Sequence, residues 1–336
     1  MTSTGLELIR KTLTHHEPER VPILPLVGLF ASRIANVPIS EMLHNSAKQR
    51  QALLEARKKF RYDGVFNVMD LTVEAEALGA EVVFENGAFP YVKKHPLDSF
   101  DDLNALELPP ISDTRLQVFV QSSKELFLEI GDTHLVSSYI IGPFTLAGHL
   151  FGVEKLLTAT FENPDEVDEA IENCVRLLTP YLRELLDTGS HNIVILEPSA
   201  SNSIISPAYF ERFSAPYLER MNGIIHSESV YASLHICGDT NRIIGAMADT
   251  NADALSIDSA VDLEAAKRIV EKKSTLIGNV DTTLLLKGST EQVRKAALTC
   301  IENAGNGGGY ILSSGCDFAI ETPTDNLASL VETVII

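Results

Sequence analysis

The residues of this chain best suited to metal chemistry are His235, Cys237 and Cys316. His235 and Cys237 end a short apolar run, and in an extended strand the side chains at positions i and i+2 point the same way. Their imidazole and thiolate would therefore face one point in space, which Cys316 would close from a different strand end. Two cysteines and one histidine suit Zn²⁺ and leave its fourth tetrahedral position for water or substrate. The pattern predicts a catalytic zinc site rather than a structural one.

The chain has four cysteines, and a lone cysteine is commonly just a small buried hydrophobe. Cys174 and Cys300 lie in amphipathic helical patterns, with the sulfur on or near the apolar side, and are predicted to belong to the core. Cys237 is followed by a glycine and Cys316 is preceded by one, at strand-to-loop junctions where a thiol gains little by packing. On local sequence alone, burial in the core remains the alternative for these two residues.

The elements that would position these residues are eight strand-like runs that alternate with helix-like segments, as in a parallel sheet with crossover helices. The runs are 22–27, 64–69, 135–141, 192–196, 231–236, 254–257, 275–280 and 309–313. Eight strands close a (β/α)8 TIM barrel, so the predicted fold class is α/β, with an N-terminal helical extension. Residues 81–110 form an insertion after the second strand that begins with a predicted hairpin, its strands 81–84 and 90–93 flanking Glu85-Asn86-Gly87. Residues 1–336 are predicted to form a single domain.

Polar residues end or follow most of these strands, and the active site of such a barrel is built at the carboxyl ends of its strands. The residues at these ends are, in strand order, Asp70, Glu197, His235 with Cys237, Asp258, Asn279 with Asp281, and Cys316. All of them would gather around one mouth of the barrel. This convergence favours the zinc site over burial of the two cysteines in the core.

The composition is that of an ordinary globular protein of 336 residues, 45% hydrophobic and 22% charged. The N-terminus lacks the basic region and apolar stretch of a secretory signal, and the longest apolar run, 21–31, is too short to span a bilayer. These features predict a cytoplasmic, reducing location, where paired cysteines more often hold metal than form disulfides. The net charge of −19 argues against nucleic acid or an anionic membrane as a partner, because both attract clustered Lys and Arg.

The order and spacing of several segments resemble those of the uroporphyrinogen decarboxylase superfamily. The segments are 69–80, 142–147, 235–238, 278–281, 315–316 and 321–323. Within the superfamily, the chain looks like the methylcobamide:coenzyme M methyltransferases and their relatives, and the resemblance covers nearly the whole chain.

Two departures separate the sequence from the decarboxylases of this superfamily. Those enzymes carry an N-terminal arginine-rich loop for the carboxylates of their substrate, whereas residues 25–32 here are largely apolar and only the later Arg33 is basic. Cys316 stands where the decarboxylases have a histidine, and the methyltransferase branch has its third zinc ligand at this position. Asp70 matches an acidic residue of the decarboxylase site, so this position does not distinguish the decarboxylases from the methyltransferase branch. Uroporphyrinogen decarboxylation is the disfavoured alternative.

The resemblance implies methyl transfer with a corrinoid, in which zinc activates a thiol. His235, Cys237 and Cys316 would hold the metal, and a thiol on Zn²⁺ is deprotonated near neutral pH. The thiolate would attack the methyl group of a methylcob(III)amide carried on a separate corrinoid protein and leave cob(I)amide. The expected partners are therefore that corrinoid protein and a small-molecule thiol, such as coenzyme M, or a methyl donor.

Supporting roles are expected for the other polar residues of the mouth. Glu197 would occupy the fourth zinc position or accept the proton of the thiol, although it would equally suit a polar mouth without touching the metal. Asp70 is the second catalytic candidate, by its match to the decarboxylase site. Asp258 and Asp281 would orient His235 through its other ring nitrogen or cap the helices that follow them, and Asn279 is grouped with them as an orienting residue.

Two further hypotheses about the function of the chain stay open. In one, the methyl group moves the other way, from a methoxylated or methylated donor to cob(I)amide, with zinc improving the leaving group. In the other, the chain is a non-enzymatic, zinc-stabilised scaffold for a corrinoid protein. The scaffold is disfavoured, because a structural zinc site normally has four protein ligands.

Overall fold

A computed structural model of the protein describes residues 3–85 and 87–335. At its centre, seven parallel strands curl in the order β1-β4-β5-β6-β7-β8-β9, and a separate antiparallel pair, β2-β3, forms a hairpin. The strands are β1 (Gly64–Phe66), β2 (Glu81–Val83), β3 (Tyr91–Lys94), β4 (Leu135–Ile141), β5 (Asn192–Leu196), β6 (Tyr231–Ile236), β7 (Ala254–Ile257), β8 (Thr275–Val280) and β9 (Tyr310–Ser314). The predicted α/β TIM-barrel class is confirmed.

The first predicted strand, 22–27, is not a regular strand. It forms a single bridge, Ile23 to Leu312 of β9, and the carbonyl of Ile23 accepts a hydrogen bond from Asp63 beside β1. Pro22 and Pro25 explain the irregularity, because proline has no N–H to donate to a ladder. The segment still lies between the two edge strands of the sheet, where an eighth barrel strand belongs.

Five of the predicted strands have the bounds that the structure shows, and two differ at their ends. The second run was predicted as 64–69, but β1 ends at Phe66, and the last strand lies one residue later than predicted. The hairpin strands are 81–83 and 91–94, each offset by one residue at one or both ends from its prediction. Asn86, in the predicted turn, lies outside the described residues.

Helices surround the sheet and cover its outer face. They are α1 (Gly5–Leu13), α2 (Phe30–Ala35), α3 (Ile39–His44), α4 (Ser46–Phe60), α5 (Val73–Ala77), α6 (Leu116–Ile130), α7 (Pro143–Phe151), α8 (Val153–Glu162), α9 (Pro164–Leu186), α10 (Pro207–Phe213), α11 (Ala215–Ser227), α12 (Ile244–Asp249), α13 (Leu263–Val270), α14 (Thr282–Lys287), α15 (Thr290–Ala304) and α16 (Thr324–Ile335). None of the helices in the described ranges is both long and apolar enough to cross a bilayer.

Two apolar clusters hold these layers together. The larger one fills the space between the sheet and the helices, and the smaller one lies inside the barrel, with Phe66, Tyr139 and Leu196 among its members. Leu6 and Ile9 of α1 belong to the interior cluster, and the N–H of Leu6 donates to the carbonyl of Thr133, just before β4. Helix α1 therefore packs at the amino-terminal end of the strands, and the polar residues at their carboxyl ends are left to form the mouth.

Candidate metal centre

His235, Cys237 and Cys316 meet at the carboxyl end of the barrel. Their candidate ligand atoms all lie within 4.8 Å of one another, and the Cys316 Sγ is 3.6 Å from the His235 Nε2. Strand β6 supplies His235 near its end, Cys237 follows that strand, and Cys316 follows β9. Two sulfurs and one imidazole nitrogen are a donor set that suits zinc. The residues therefore fit the metal predicted from the sequence.

The imidazole of His235 is oriented by a serine on the neighbouring strand. Ser256 of β7 lies opposite His235 in the parallel register, and its Oγ is 2.9 Å from the His235 Nδ1. Both residues are buried, with 2% of their surface exposed. The Nδ1 hydrogen bond leaves Nε2 free to face Cys316, which is the arrangement of a metal-ligating histidine whose other nitrogen is held by a partner.

The two cysteine thiols of the cluster influence each other. A hydrogen bond from the Cys316 thiol, helped by one from His235, lowers the pKa of Cys237, although burial acts in the opposite direction. The same pairing, together with burial, raises the pKa of Cys316. Binding of a divalent cation would favour the thiolate form of both cysteines and displace their protons.

Gly315 lets the loop of Cys316 approach the loop after β7. A Cβ placed on Gly315 would lie 2.6 Å from the backbone nitrogen of Ser259, so only glycine fits there. Arg33 fixes the far side of the same loop by donating to the carbonyl oxygens of Ile320 and Thr322, at 3.2 and 3.1 Å. The position of Cys316 is therefore set by contacts on both sides of its loop.

Removing the Ser256 hydroxyl should weaken metal binding without touching a ligand. We expect Ser256→Ala to lower zinc affinity by roughly 10- to 100-fold, the usual loss when the partner of a ligating histidine is removed. Competition with a chromophoric chelator measures this affinity. Ser233→Ala is the matched control. Ser233 lies two residues before His235, on the same face of β6, and its hydroxyl donates to Asn192 and not to His235. An equal loss in both variants would contradict the role given to Ser256.

Asp258 and Asp281, which were predicted to orient His235, and Asn279, which was predicted as an orienting residue, make other contacts. The Asp258 carboxylate accepts from the backbone N–H groups of Gly238 and Ala260, both at 3.0 Å. Asp281 accepts from Thr283 and caps α14, which was the alternative role predicted for it. Asn279 donates to the carbonyls of Asp258 and Val261. These residues brace the loops of the mouth, and Ser256 takes the place at the His235 ring because Asp258 lies beyond the end of β7.

Glu197 does not join the cluster of ligand atoms found among the described residues. Its fully buried carboxylate accepts from the backbone N–H groups of Phe144, at 3.1 Å, and Thr145, at 2.6 Å, in the first turn of α7. Leu196 faces the barrel interior, so the next residue along the strand points to the helix layer. Burial raises the pKa of Glu197 to about 7, although the hydrogen bonds from Thr145 and Phe144 act in the opposite direction. The predicted place at the fourth zinc position disagrees with this geometry.

Asp70 is held in an ion pair. Its side chain is fully buried, and one oxygen lies 2.6 Å from Nη1 of Arg115, which also binds Glu76 at 2.6 Å. The other oxygen accepts from the backbone and the hydroxyl of Thr72. Arg115 in turn lies 4.9 Å from the centre of the Phe84 ring. These contacts tie the loop after β1 to the start of α6 and to the hairpin, and the catalytic role of Asp70 stays a prediction.

Sequence reasoning missed three residues beside the site: Ser256, Tyr139 and Asp317. Ser256 would have required the register of β6 against β7, which the pattern of one chain does not give. Tyr139 reads as an ordinary apolar member of a buried strand, although its ring stacks on Phe66 inside the barrel, with centroids 5.6 Å apart. Asp317 adjoins Cys316 in the sequence, which was a signal available at that stage.

The chain is thus a parallel α/β barrel with a histidine and two cysteines clustered at the carboxyl ends of its strands. The sequence model of the family described as uroporphyrinogen decarboxylase (URO-D) matches residues 4–335. The chain therefore belongs to the uroporphyrinogen decarboxylase family.

Individual relatives of this chain carry two kinds of name. The methylcobamide:CoM methyltransferase MtbA of Methanosarcina mazei is 28% identical over 86% of this chain and 84% of its own length. MtaA of Methanosarcina barkeri, named for the same activity, is 27% identical over 78% of this chain and 76% of its own. The uroporphyrinogen decarboxylase of Dichelobacter nodosus is 25% identical over 98% and 96% of the two chains.

Among solved structures, a methyltransferase from Methanosarcina mazei superposes with a TM-score of 0.90 at 24% identity, over 98% of both chains. A B12-independent methionine synthase from Shewanella superposes with a TM-score of 0.63 at 15% identity, over 94% of this chain and 96% of its own. At such identities the likeness establishes the fold, and the function has to be argued from the site.

Proposed function

We propose that this chain, a methyltransferase of the uroporphyrinogen decarboxylase family, moves a methyl group from a methylcobamide on a corrinoid protein to a small-molecule thiol such as coenzyme M. Zinc would be held by His235, Cys237 and Cys316. The observation that carries the proposal is the cluster itself, three ligands of a type suited to zinc at the carboxyl end of a barrel. A cluster with a fourth position for substrate is the arrangement of catalytic zinc sites.

The chemistry divides between the metal and the residues of the chain. Zinc bound at the cluster supplies Lewis acidity, which keeps a substrate thiol in its nucleophilic thiolate form. His235, oriented by Ser256, and the two cysteines fix where that sulfur lies. The interior cluster below them, which includes Phe66 and Tyr139, is apolar and excludes water from the base of the site. A low-polarity base favours a reaction in which the charge of the thiolate is dispersed in the transition state.

The contacts of Asp70 and the 25–32 segment support methyl transfer over decarboxylation. The carboxylate oxygens of Asp70 are already bonded to Arg115 and Thr72, and Arg33 is engaged with the carbonyls of its neighbouring loop. A substrate with several carboxylates would find few free cations there. The relatives named methylcobamide:CoM methyltransferases are 28% and 27% identical to this chain, and the relative named uroporphyrinogen decarboxylase is 25% identical. A single domain, a cytoplasmic location and a corrinoid protein as partner belong to the same proposal.

A methyl-transfer assay with free methylcobalamin tests the proposal. Zinc-loaded and metal-free protein are compared with three thiols that differ only in their terminal group: 2-mercaptoethanesulfonate (coenzyme M), 2-mercaptoethanol and cysteamine. The expected result is a zinc-dependent loss of the methylcobalamin spectrum with at least one thiol. Silence with every thiol, combined with methylation of cob(I)alamin by a methoxylated or methylated donor, would reverse the direction of transfer. If no methyl transfer occurs in either direction, the result would favour the hypothesis of a non-enzymatic scaffold.

A further inference from the structure

The insertion 81–110, which the proposed function does not use, forms one wall of a surface groove. After β3, Nδ1 of His95 donates to the carbonyl of His149 at 2.8 Å, which ties the segment 95–101 to the end of α7. Helix α8 and the start of α9 supply much of the remaining lining, and the groove has a volume of about 780 Å³. We call it the α8 groove, and its lining residues are 95, 98–101, 151–155, 158–159, 162–163 and 166.

The floor of the α8 groove is apolar. The rings of Phe100 and Phe151 pack with their centres 4.5 Å apart. Val153 lines the groove with 39% of its surface exposed, and Phe161 of the same helix is 81% exposed. Phe161 follows Glu154 of the lining by seven residues, which is about two turns, so it lies on the same side of α8. Exposed apolar side chains along a groove are typical of a surface that binds a partner.

The rim of the α8 groove is acidic. Five carboxylates and a single lysine line the groove, which gives a net charge of −4 at neutral pH with His95 counted as neutral. The carboxylates, none of which takes part in an ion pair between described residues, are Asp98, Asp101, Glu154, Glu162 and Glu166. Such a surface attracts cationic partners and repels anionic ones.

The lysine of the lining shows how the α8 groove accommodates a cation. The Lys155 Nζ lies 5.9 Å from the centre of the Phe100 ring and 6.0 Å from that of the Phe151 ring, and it donates to the carbonyl of Asp98. An ammonium group is attracted to an aromatic ring, while its alkyl stem covers apolar surface. A basic side chain of a partner would use the floor and the rim together in the same way.

We propose that the α8 groove docks a basic segment of a partner protein, in which lysine or arginine side chains flank a large apolar side chain. The apolar side chain would contact the floor, and the cations would pair with the rim carboxylates. Charge selects this occupant, because a second copy of the chain, of net charge −19, would bring like charge to the groove. The inference goes beyond the proposed function, since the groove contains none of the residues of the metal centre.

Fluorescence anisotropy with three labelled peptides tests the inference on the intact chain. The first peptide is Lys-Lys-Leu-Phe-Lys-Lys, the second has alanine in place of leucine and phenylalanine, and the third has glutamate in place of every lysine. We expect the first to bind at least about tenfold more tightly than the second, because two large apolar side chains become buried, and the third not to bind. Equal affinity of the first two peptides, or no binding of the first, would overturn the inference.

Two exposed glutamates of α8 test the contribution of the rim. We expect the double variant Glu154→Gln, Glu162→Gln to weaken binding of the first peptide by about fivefold, as for the loss of two exposed ion pairs. The matched control is Glu291→Gln, Glu332→Gln, which removes the same charge from a second surface groove, lined by α15 and α16. An equal loss in the two double variants would mean that binding follows the overall charge, and the docking site would be refuted.

Phe161→Ala tests the apolar contribution. We expect it to weaken binding of the first peptide by about fivefold and to leave the second peptide unaffected, because the contact with the apolar side chains is lost. Leu128→Ala is the matched control, since Leu128 is 75% exposed but lies on α6, outside the α8 groove. Both side chains project into solvent, so neither substitution should unfold the protein. No loss in Phe161→Ala, or the same loss in Leu128→Ala, would contradict the proposal.

Gel filtration of the same two variants tests the competing occupant. We expect the wild type and both variants to elute at the same volume. A dimer that Phe161→Ala dissociates and Leu128→Ala does not would show that a second copy of the chain covers the groove, and docking of a basic partner segment would be overturned.

Discussion

Cys316→Ala is expected to release zinc and to abolish methyl transfer. The substitution removes one of three metal ligands and leaves His235 and Cys237, which come from one strand end. Structural zinc sites with four ligands bind with roughly 10–16 kcal/mol, so one ligand accounts for about 3 kcal/mol, or on the order of a hundredfold in affinity. Zinc per chain after gel filtration, measured by mass spectrometry of the metal, checks the first effect, and the methylcobalamin assay checks the second.

Cys300→Ala is the matched control for Cys316→Ala. Cys300 is also a partly buried free thiol, but it lies on α15 with its sulfur 3.7 Å from the side-chain oxygen of Asn279, outside the ligand cluster. We expect this variant to retain its zinc. A Cys316→Ala protein that holds as much zinc as Cys300→Ala would show that the cluster is not the metal site.

The barrel and the metal ligands were accessible from sequence because both depend on short-range patterns. Period-two spacing places His235 and Cys237 on one side of a strand, and alternation of strands with helices predicts parallel pairing. Cys316, 79 residues beyond Cys237, could be joined to them only because the carboxyl ends of all barrel strands meet at one mouth. The prediction of a first strand at 22–27 was wrong for an equally local reason, because its two prolines prevent regular strand pairing despite its apolar residues.

The partners of the polar residues were not accessible, because they depend on register and on side-chain direction. Glu197 lies at a strand end as predicted, yet its carboxylate points to the amino end of α7 rather than to the mouth. Ser256 is the partner of His235 because the register of β6 against β7 places the two residues opposite each other, and the sequences of these strands do not predict that register. The rule that the site forms at the carboxyl ends of the strands therefore predicts the approximate location of a residue, but it does not predict the contacts of its side chain.

The Asp70–Arg115 pair is expected to show the largest effect on stability. We expect Arg115→Ala to lower the free energy of unfolding by about 3–5 kcal/mol, because it leaves the Asp70 carboxylate buried without its cation. Urea denaturation followed by circular dichroism measures the loss. Arg212→Ala is the matched control: this arginine also binds two acids, Asp165 and Asp168, but 42% of its side chain is exposed, and such surface pairs contribute little to stability.

The double variant Asp70→Asn, Arg115→Leu separates an ion pair from a reactive carboxylate. If Asp70 serves to hold the hairpin and α6 in place, removing both charges should recover much of the stability lost in Arg115→Ala, because no uncompensated buried charge remains. Glu76 keeps part of the penalty, since its carboxylate loses the same arginine but is 30% exposed and can be hydrated. An Arg115→Ala protein as stable as Arg212→Ala would instead mean that the Asp70 carboxylate is reached by water. It would then be available to a substrate at the mouth, as its match to the decarboxylase site predicts.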